Sequence, residues 1–507
     1  MDARDTEPEI GTSRRRAITA GLLLGMSLGA LEATVVSTAM PTVIATLGGL
    51  AHYSWVFSAY LLTSTAAVPI WGRLSDLYGR RRMYLTGIAV FLVGSALSGA
   101  AQSMEQLIVF RALQGLGAGA IIPLSMTIVG ELYALEERAR AQALFSGVWG
   151  IASIAGPIVG GYVTDALSWR WVFYLNLPFG IFAVIVFALA YPRHARLRGV
   201  RVDWTGAALL FAGIVALLIG LSDATPSPWP WFVAATALLA SFVYVERRVR
   251  EPILPLDLFE TPIVARSNLV VFLLGIAMFG AIAFVPLFVQ IVMGGTATEA
   301  GQALTPLFLG WVLTSVLGAG ASVRLGYRPV AVTGATLLTL GFAGLSMLDA
   351  DTRRAFLIVN VLLLGCGMGL SMLSLLLAVQ HGVPRSRLGV ATSLNQFSRS
   401  IGAAIGVAAM GALLSRELTG LDLPGGVQAV AAGAMQIHGA ARVQFAVALR
   451  HVFTFGALIS GAALAGTCFL PPVDLSRGVP IGAGEAMLAA EMASLESEGE
   501  PEAVKGS

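Results

Sequence analysis

Charge, lysine and cysteine are scarce in this chain, and each scarcity excludes a class of protein. Charged residues make up 12% of its 507 residues, whereas a soluble domain contains about 25%. The sole lysine is Lys505, in the last few residues, so a phosphate-binding G-x-x-x-x-G-K-[ST] loop cannot form. A soluble domain and an ATP-driven pump are therefore both excluded.

Cysteine and histidine chemistry is equally limited. Cys366 and Cys468 fall in hydrophobic runs, where we expect them to pack as small apolar residues and to form neither a disulfide framework nor a metal site. The five histidines are predicted to lie in loops or tails, and no H-E-x-x-H motif occurs. Because an intramembrane enzyme needs a nucleophile and base or metal ligands within its spans, we expect neither an enzyme nor a histidine proton relay.

Long hydrophobic runs dominate the chain instead. Its mean hydropathy is +0.79, and a bilayer span needs roughly 20 predominantly apolar residues. Fourteen spans are predicted, at 17–41, 53–75, 83–102, 105–129, 141–163, 171–191, 204–222, 229–245, 267–293, 300–322, 329–348, 355–379, 388–415 and 452–470. The chain is therefore predicted to be an all-α polytopic protein of the lipid bilayer.

The arginines indicate which way the spans run. An even number of spans places both termini on one side, and a cytoplasmic location for them puts most arginines inside, as the positive-inside rule requires. The net charge of +3 then follows from topology, and no nucleic-acid binding is expected. A secretory or twin-arginine signal at SRRRAIT is disfavoured, because thirteen more spans follow and no clean cleavage site precedes Glu32.

Loop lengths divide the chain into two blocks of six spans with two spans inserted between them. The predicted segments are a cytoplasmic tail at 1–16, a six-helix bundle at 17–191, a basic loop, two inserted helices and a linker at 192–266, a second six-helix bundle at 267–470 with a long external loop at 416–451, and a disordered cytoplasmic tail at 471–507. GRLSDLYGRRR after span two and SVRLGYRP after span ten are similar, through either a repeat or a shared need for Gly and Arg at a turn. Two related bundles are typical of transporters with a site near the midplane.

Glu32 is the only acidic residue predicted deep inside a hydrophobic span. A carboxyl group at membrane depth is unfavourable and usually marks an ion or substrate pathway. A helix rises 1.5 Å per residue, which places Glu32 about 22 Å up span one and Arg111 about 10 Å down span four, at similar depth in the outer half of a ~30 Å core. We expect the two side chains to pair, either as a transport site or as a permanent structural ion pair.

Two motifs contain glycines at helix contacts and turns. In GRLSDLYGRRR, Gly72 permits close helix approach, Gly79 permits a tight turn, and Asp76 can pair with a basic residue or the N-terminus of another helix; an ordinary positive-inside loop is the alternative. In GVWGIASIAGPIVGG, Pro157 is expected to kink span five. The glycines of that motif, which favour close helix packing, are Gly147, Gly150, Gly156, Gly160 and Gly161.

These motifs resemble those of the major facilitator superfamily, whose signature between its second and third helices has the form G-x-L-x-D-x-x-G-R-[KR]. The resemblance narrows to the fourteen-helix drug:proton antiporter branch of multidrug efflux type through LEATVVSTAMP, LIVFRALQGLGAG, GVWGIASIAGPIVGG, WRWVFYLNLPFG and VDWTGAALL. It covers nearly the whole chain apart from the two tails. The implied fold is major-facilitator-like, with two six-helix bundles plus two inserted helices.

The resemblance also implies roles for particular residues. The loop containing Asp76 and Arg80 acts in the family as a latch between the two bundles, and the span-five motif is associated with exporters. Arg111 is implicated in proton coupling, and Gln114 belongs to the same fourth-helix motif. Glu32 stands where this branch usually has Asp, which keeps a titratable carboxyl group and lengthens its reach by one methylene.

Arg399 is a second cation predicted to be buried within a span, near the middle of span thirteen and about one turn after Asn395. No acidic residue is predicted inside any span of the second block. We interpret Arg399 either as a group that positions an anionic or polar substrate or as one satisfied by carbonyls and amides. Tyr60, Phe284 and Gln114 are further candidates for lining a substrate cavity, with ordinary packing as the alternative.

The leading hypothesis from the sequence is proton-driven export of lipophilic, drug-like small molecules from the cytoplasm. We expect a monomer in the plasma membrane of a bacterium, with the proton as coupling ion and no other cofactor. An importer or a lipid or metabolite permease of the same fold is the main alternative. A non-transporting membrane receptor or scaffold is the third.

Overall fold

The computed structural model describes residues 11–47, 53–133, 135–192, 203–221, 227–249, 252–295, 297–418 and 440–471. Within these ranges the chain is helical and contains no β-strand. The helices are α1 (Thr12–Leu47), α2 (Tyr53–Tyr78), α3 (Arg80–Ala100), α4 (Met104–Leu132), α5 (Leu135–Ala166), α6 (Trp171–Tyr174), α7 (Asn176–Ala190), α8 (Trp204–Leu221), α9 (Trp229–Glu246), α10 (Pro262–Leu287), α11 (Ala297–Gln302), α12 (Thr305–Leu325), α13 (Tyr327–Leu345), α14 (Arg354–His381), α15 (Leu388–Glu417) and α16 (Ala440–Cys468).

Many of these helices have the dimensions of membrane spans. Within the described ranges, eleven helical segments are long and apolar enough to cross a membrane. Three further helices are also long, with 36 residues in α1, 26 in α2 and 32 in α5. The predicted all-α polytopic architecture is confirmed, and the count of fourteen spans stays a prediction.

The helices form two halves with the same packing order. In the first half α1 packs against α5 and α7, and α4 packs against α2 and α3. In the second half α10 packs against α15 and α16, and α14 packs against α12 and α13. The halves meet where α2 packs against α15 and α5 packs against α12. One six-helix arrangement is therefore repeated, with the interface built from equivalent helices.

The turns that follow α2 and α12 repeat as well. Gly79 has φ of 89° and Gly326 has φ of 82°, and each immediately precedes the next helix. Positive φ favours glycine because a Cβ clashes there. Since α2 and α12 are equivalent, the similarity of GRLSDLYGRRR and SVRLGYRP belongs to the repeat, as one of the two sequence interpretations proposed.

The boundaries of the last helix differ from the predicted ones. It begins at Ala440, so 440–451 of the predicted external loop 416–451 is helical, and His451 lies within a helix rather than in a loop. Arginines lower the hydropathy of the first turns of this helix, so the sequence does not predict them as part of a span. In the structure Arg442 donates a hydrogen bond to the Val292 carbonyl at 2.6 Å. The His451 ring lies 3.2 Å from the Glu417 carboxylate.

Other predicted segments fall partly outside the described residues. The N-terminal tail, basic loop, external loop and C-terminal tail include residues 1–10, 193–202, 419–439 and 472–507, which lie outside them. The linker is shorter than predicted, because α10 begins at Pro262, at a position in the first turn where proline has no hydrogen bond to lose.

The two inserted helices bridge the halves. Helices α8 and α9 pack against each other, and α8 also contacts α2 and α15. Leu210 and Ile214 of α8 share a buried apolar cluster with Leu62 and Ala66 of α2. The α8–α9 pair therefore lies beside the line along which the first half meets the second.

Candidate functional site

The first candidate site surrounds Glu32 in the middle of α1. The residue is 2% exposed, and its carboxylate forms an ion pair with Arg111 of α4. Its other oxygen accepts a hydrogen bond of 2.6 Å from the Asn176 side-chain amide, which also donates to the Ser95 hydroxyl at 3.0 Å. The structure thus brings together Glu32 and Arg111, as the depth argument expected, and adds Asn176.

Arg111 is held from several sides. The residue is 2% exposed, donates to the Gln114 side chain at 2.7 Å and to the Val56 carbonyl at 3.2 Å, and lies 4.3 Å from the centre of the Tyr60 ring. Such cation–π contacts are strongest where water is excluded. Gln114 and Tyr60, predicted to line a substrate cavity, therefore belong to the surroundings of Arg111.

This arrangement makes each charge depend on the other. Breaking a buried ion pair by removing one partner destabilises a protein by about 3–5 kcal/mol, because an uncompensated charge remains. Loss of either charge would therefore disturb the contacts that join α1, α4 and α7.

The second candidate site, which we name the latch, joins the halves at the end where Gly79 connects α2 to α3. The Asp76 carboxylate accepts hydrogen bonds from the backbone N–H groups of Gly389 and Val390, at 3.1 and 2.9 Å. These are the second and third residues of α15, whose N-terminal amides have no partner within the helix. A helix N-terminus favours an anion, so Asp76 of the first half closes the end of a helix of the second half.

Arg80 fixes Asp76 in place. It forms an ion pair with Asp76, donates to the Ser75 hydroxyl at 2.6 Å, and donates to Glu131 of α4 at 2.7 Å. Its side chain is 8% exposed. The latch therefore contains three charged residues of the first half, Asp76, Arg80 and Glu131. Asp76 in turn binds the backbone amides at the start of α15 in the second half.

Two glycines make this contact possible. A Cβ on Gly72 would lie 2.5 Å from the Ser393 Cβ and 3.0 Å from the Gly389 carbonyl oxygen, and a Cβ on Gly389 would overlap the charged ends of Arg80 and Asp76. Gln380 adds a further connection between the halves, donating to the Met126 carbonyl at 3.3 Å. The halves are thus closed against each other at this end.

The glycine-rich helix α5 shows close packing at one of its predicted positions. A Cβ on Gly150 would lie 3.0 Å from a Val312 methyl group in the second half, whereas a Cβ on Gly147 or Gly161 would have no described atom within 4 Å. Close contact at Gly147 and Gly161 therefore stays a prediction, since no described atom lies near either position. Gly156 and Gly160 are buried, and the side chain of Pro157 lies outside what the structure describes.

The remaining predicted residues lie in the second half. Arg399 is half-buried on α15, and its side chain has no ion pair or hydrogen bond to any described residue. Asn395, one turn earlier, donates to Asn268 at 3.3 Å. Phe284 is 8% exposed within the apolar core of that half, which leaves it little surface for a ligand.

Sequence reasoning missed Asn176 and Gly389 as members of the two sites. Asn176 is one polar residue in the apolar run VFYLNLPFGIFAV, which is the signal that identifies it. Gly389 is harder to predict, because its importance comes from the Asp76 and Arg80 side chains of α2 and α3, which occupy the place of its Cβ.

Comparisons with known proteins agree with this geometry. The family model of the Major Facilitator Superfamily matches residues 22–407. The chain is 40% identical over 410 residues to the multidrug transporter protein MdtP of Bacillus subtilis (strain 168), covering 80% of this chain and 76% of that protein. It is 36% identical over 411 residues to multidrug resistance protein 3 of the same bacterium, covering 79% and 80%.

Solved structures show the same fold at low sequence identity. The human organic anion transporter MFSD10 (TETRAN) superimposes with a TM-score of 0.62 at 15% identity, covering 88% of this chain and 99% of that one. The proton:xylose symporter XylE gives a TM-score of 0.62 at 13% identity, covering 92% and 98%. This chain belongs to the Major Facilitator Superfamily, and it is a multi-pass membrane transporter rather than an enzyme.

Proposed function

We propose that this chain is a proton-coupled antiporter that exports lipophilic, drug-like small molecules by alternating access. The observation that carries the proposal is the fully buried Glu32 carboxylate, held by Arg111 and Asn176 in the middle of the membrane-spanning bundle. The names of the relatives, a multidrug transporter and a multidrug resistance protein, support this class of substrate. The proton is the coupling ion, and no other cofactor is proposed.

The two sites divide the work of transport. Proton exchange at Glu32 changes the charge balance around Arg111 inside the first half. The latch must open before a substrate can enter from its end, which requires Asp76 to leave the α15 amides. Hydrogen bonds to charged groups contribute about 1.5–3 kcal/mol each, so the latch is weak enough to open and strong enough to bias the conformations. Coupling requires proton and substrate to favour different conformations.

We further propose the membrane orientation. All fourteen helical spans cross the cytoplasmic membrane of a bacterium as a monomer, with both termini and the latch in the cytoplasm, as the arginine distribution favours. Substrate then enters at the latch end and leaves at the opposite end.

Direction-resolved flux in membrane vesicles tests the proposal. In everted vesicles with an acidic lumen, a lipophilic fluorescent dye is expected to accumulate inside, and dissipating the pH gradient is expected to stop it. Accumulation only in right-side-out vesicles would instead identify an importer or permease. An absence of any dye, lipid or metabolite flux would contradict transport altogether.

The Arg399→Ala variant tests whether the second half contacts substrate. Because Arg399 has no described partner, we expect substrates with an acidic or strongly polar group to lose about 10-fold or more in transport rate, the effect of one charge-assisted hydrogen bond. Neutral lipophilic substrates are expected to change little, and Arg399→Lys should retain part of the activity. An unchanged substrate range in Arg399→Ala would count against this role.

A further inference from the structure

Two carboxyl groups lie where the inserted helix α8 begins and α9 ends, on the same side of the protein as the latch. Asp203 caps the N-terminus of α8, and one of its oxygens accepts from the Gly206 N–H at 2.9 Å. Glu246 ends α9, is 4% exposed, and one of its oxygens accepts from the Ile253 N–H of the following linker at 3.0 Å. Both carboxyl groups are therefore held in place by backbone amides.

The second oxygen of each carboxyl group is buried without a hydrogen-bond partner among the described residues, Asp203 Oδ2 and Glu246 Oε2 alike. Both carboxyl groups border Gly206. A Cβ at Gly206 would overlap Asp203 Oδ2 and lie 3.0 Å from Glu246 Oε1. Asp203 Oδ2 and Glu246 Oε1 therefore both lie against the place that a Gly206 side chain would take, and the two carboxyl groups interact electrostatically.

Hydrogen-bond chemistry points to what is missing. An ionised carboxylate only accepts hydrogen bonds, whereas a protonated one supplies one O–H donor. Two adjacent carboxyl groups cannot easily both ionise, and they commonly hold one proton between them. A single proton on this pair would supply the hydrogen-bond donor that two ionised carboxylates lack.

Arg73 is the cation that acts on the pair, and further charged residues lie in the linker and just after α9. Helix α2 contributes Arg73, which is 8% exposed and interacts electrostatically with Glu246 and also with Asp76 of the latch. The linker contributes Asp257, which is exposed and paired with Arg387. Arg247 and Arg248 follow the end of α9, and both are exposed. Arg73 is therefore the cation shared between this pair and the latch.

We propose that Asp203 and Glu246 bind one proton between them, forming a proton site separate from Glu32 that couples the inserted helices to the latch. With the proton bound, the pair has one negative charge and Arg73 remains available to Asp76. When the proton leaves, the two carboxylates repel each other and attract Arg73 away from Asp76. Rising pH at the latch end therefore loosens both the inserted helices and the latch.

The first experiment follows thermal unfolding of the purified full-length protein from about pH 5 to about pH 9, the range over which buried carboxyl groups titrate. The unfolding midpoint of the wild type is expected to fall as pH rises. Glu246→Gln and Asp203→Asn each place an amide N–H donor on the remaining carboxylate and should remove that fall. Glu260→Gln, a change of an exposed linker carboxyl group, is the matched control and should behave as the wild type.

Infrared spectroscopy reports the proton itself. The C=O stretch of a protonated carboxyl group is expected in the wild type at neutral pH and should be absent in Glu246→Gln. It should therefore appear as a band in the difference spectrum of the two proteins. Identical spectra and identical pH dependence in the two proteins would overturn the proposal. Restoration of the wild-type midpoint at high pH by Mg²⁺ or Ca²⁺ would also overturn it, since the pair would then be a cation site.

The link to the latch has its own readout. Spin labels at Arg82 of α3 and Arg324 of α12, both exposed, are placed in a chain in which Cys366 and Cys468 are replaced by serine. The distance between labels is expected to lengthen with rising pH in the wild type and to stay constant in Glu246→Gln. A pH response that persists in Glu246→Gln would contradict the coupling. None of these readouts depends on transport, so they can fail or succeed independently of the proposed export.

Discussion

Glu32→Gln is expected to abolish efflux driven by a pH gradient while leaving the protein folded. Glutamine keeps the shape and one carbonyl acceptor for Arg111 or Asn176, but it cannot bind or release a proton. Arg111 retains its hydrogen bonds to Gln114 and Val56, and Asn176 retains the one to Ser95, so the loss expected for an unpaired buried charge is reduced. The measurement is dye accumulation in everted vesicles with an acidic lumen, where the variant should show no response to the gradient.

A second assay separates loss of coupling from loss of function. Glu32→Gln should still exchange internal dye for external dye at equal pH, because that exchange needs no net proton movement. Glu105→Gln is the matched control, since Glu105 is an exposed carboxyl group in the first turn of α4, the helix that contains Arg111. Undiminished gradient-driven efflux in Glu32→Gln would exclude this residue as the proton carrier.

Gly389→Ala is expected to reduce transport at least about 10-fold by preventing closure of the latch. The added methyl group would occupy the place of the Arg80 and Asp76 side chains. Loss of one hydrogen bond to the Asp76 carboxylate corresponds to about 1.5–3 kcal/mol. The measured quantities are the dye efflux rate and the distance between spin labels at Arg82 and Arg324, which should lengthen.

Gly411→Ala is the matched control for that change. Gly411 lies in the same helix, and a Cβ there would have no described atom within 4 Å. Both variants add one methyl group to α15, and only the one at Gly389 meets the latch. Equal transport and equal label distances in the two variants would show that latch closure does not depend on the amides of α15.

The residues of the Glu32 site differ in how readily the sequence predicts them. Glu32 and Arg111 are charges in apolar helices, and the constant rise of a helix predicts their relative depth. Asn176 belongs to a third helix, and its contact with Glu32 depends on how α7 packs against α1. Depth follows from the sequence, whereas the angular position of one helix around another depends on packing.

The latch shows a similar division. Gly72, Asp76, Gly79 and Arg80 lie in one short motif, so their type and spacing are evident. Their partners, the amides of Gly389 and Val390, are backbone groups some three hundred residues later, and no side-chain pattern marks a backbone amide. The start of α16 was missed for a different reason. Arg442 and Arg450 lower the hydropathy of this segment, and the structure satisfies Arg442 with the backbone carbonyls of Val292 and Ala350.

Proton release on substrate binding tests the coupling most directly. A lipophilic dye is added to purified protein in weakly buffered detergent solution, and a pH indicator follows the protons that leave as the dye binds. We expect the wild type to release up to one proton per molecule through Glu32 and Glu32→Gln to bind dye with no release. Equal release from both proteins, or dye binding by the wild type without any release, would contradict proton–substrate antiport at this site.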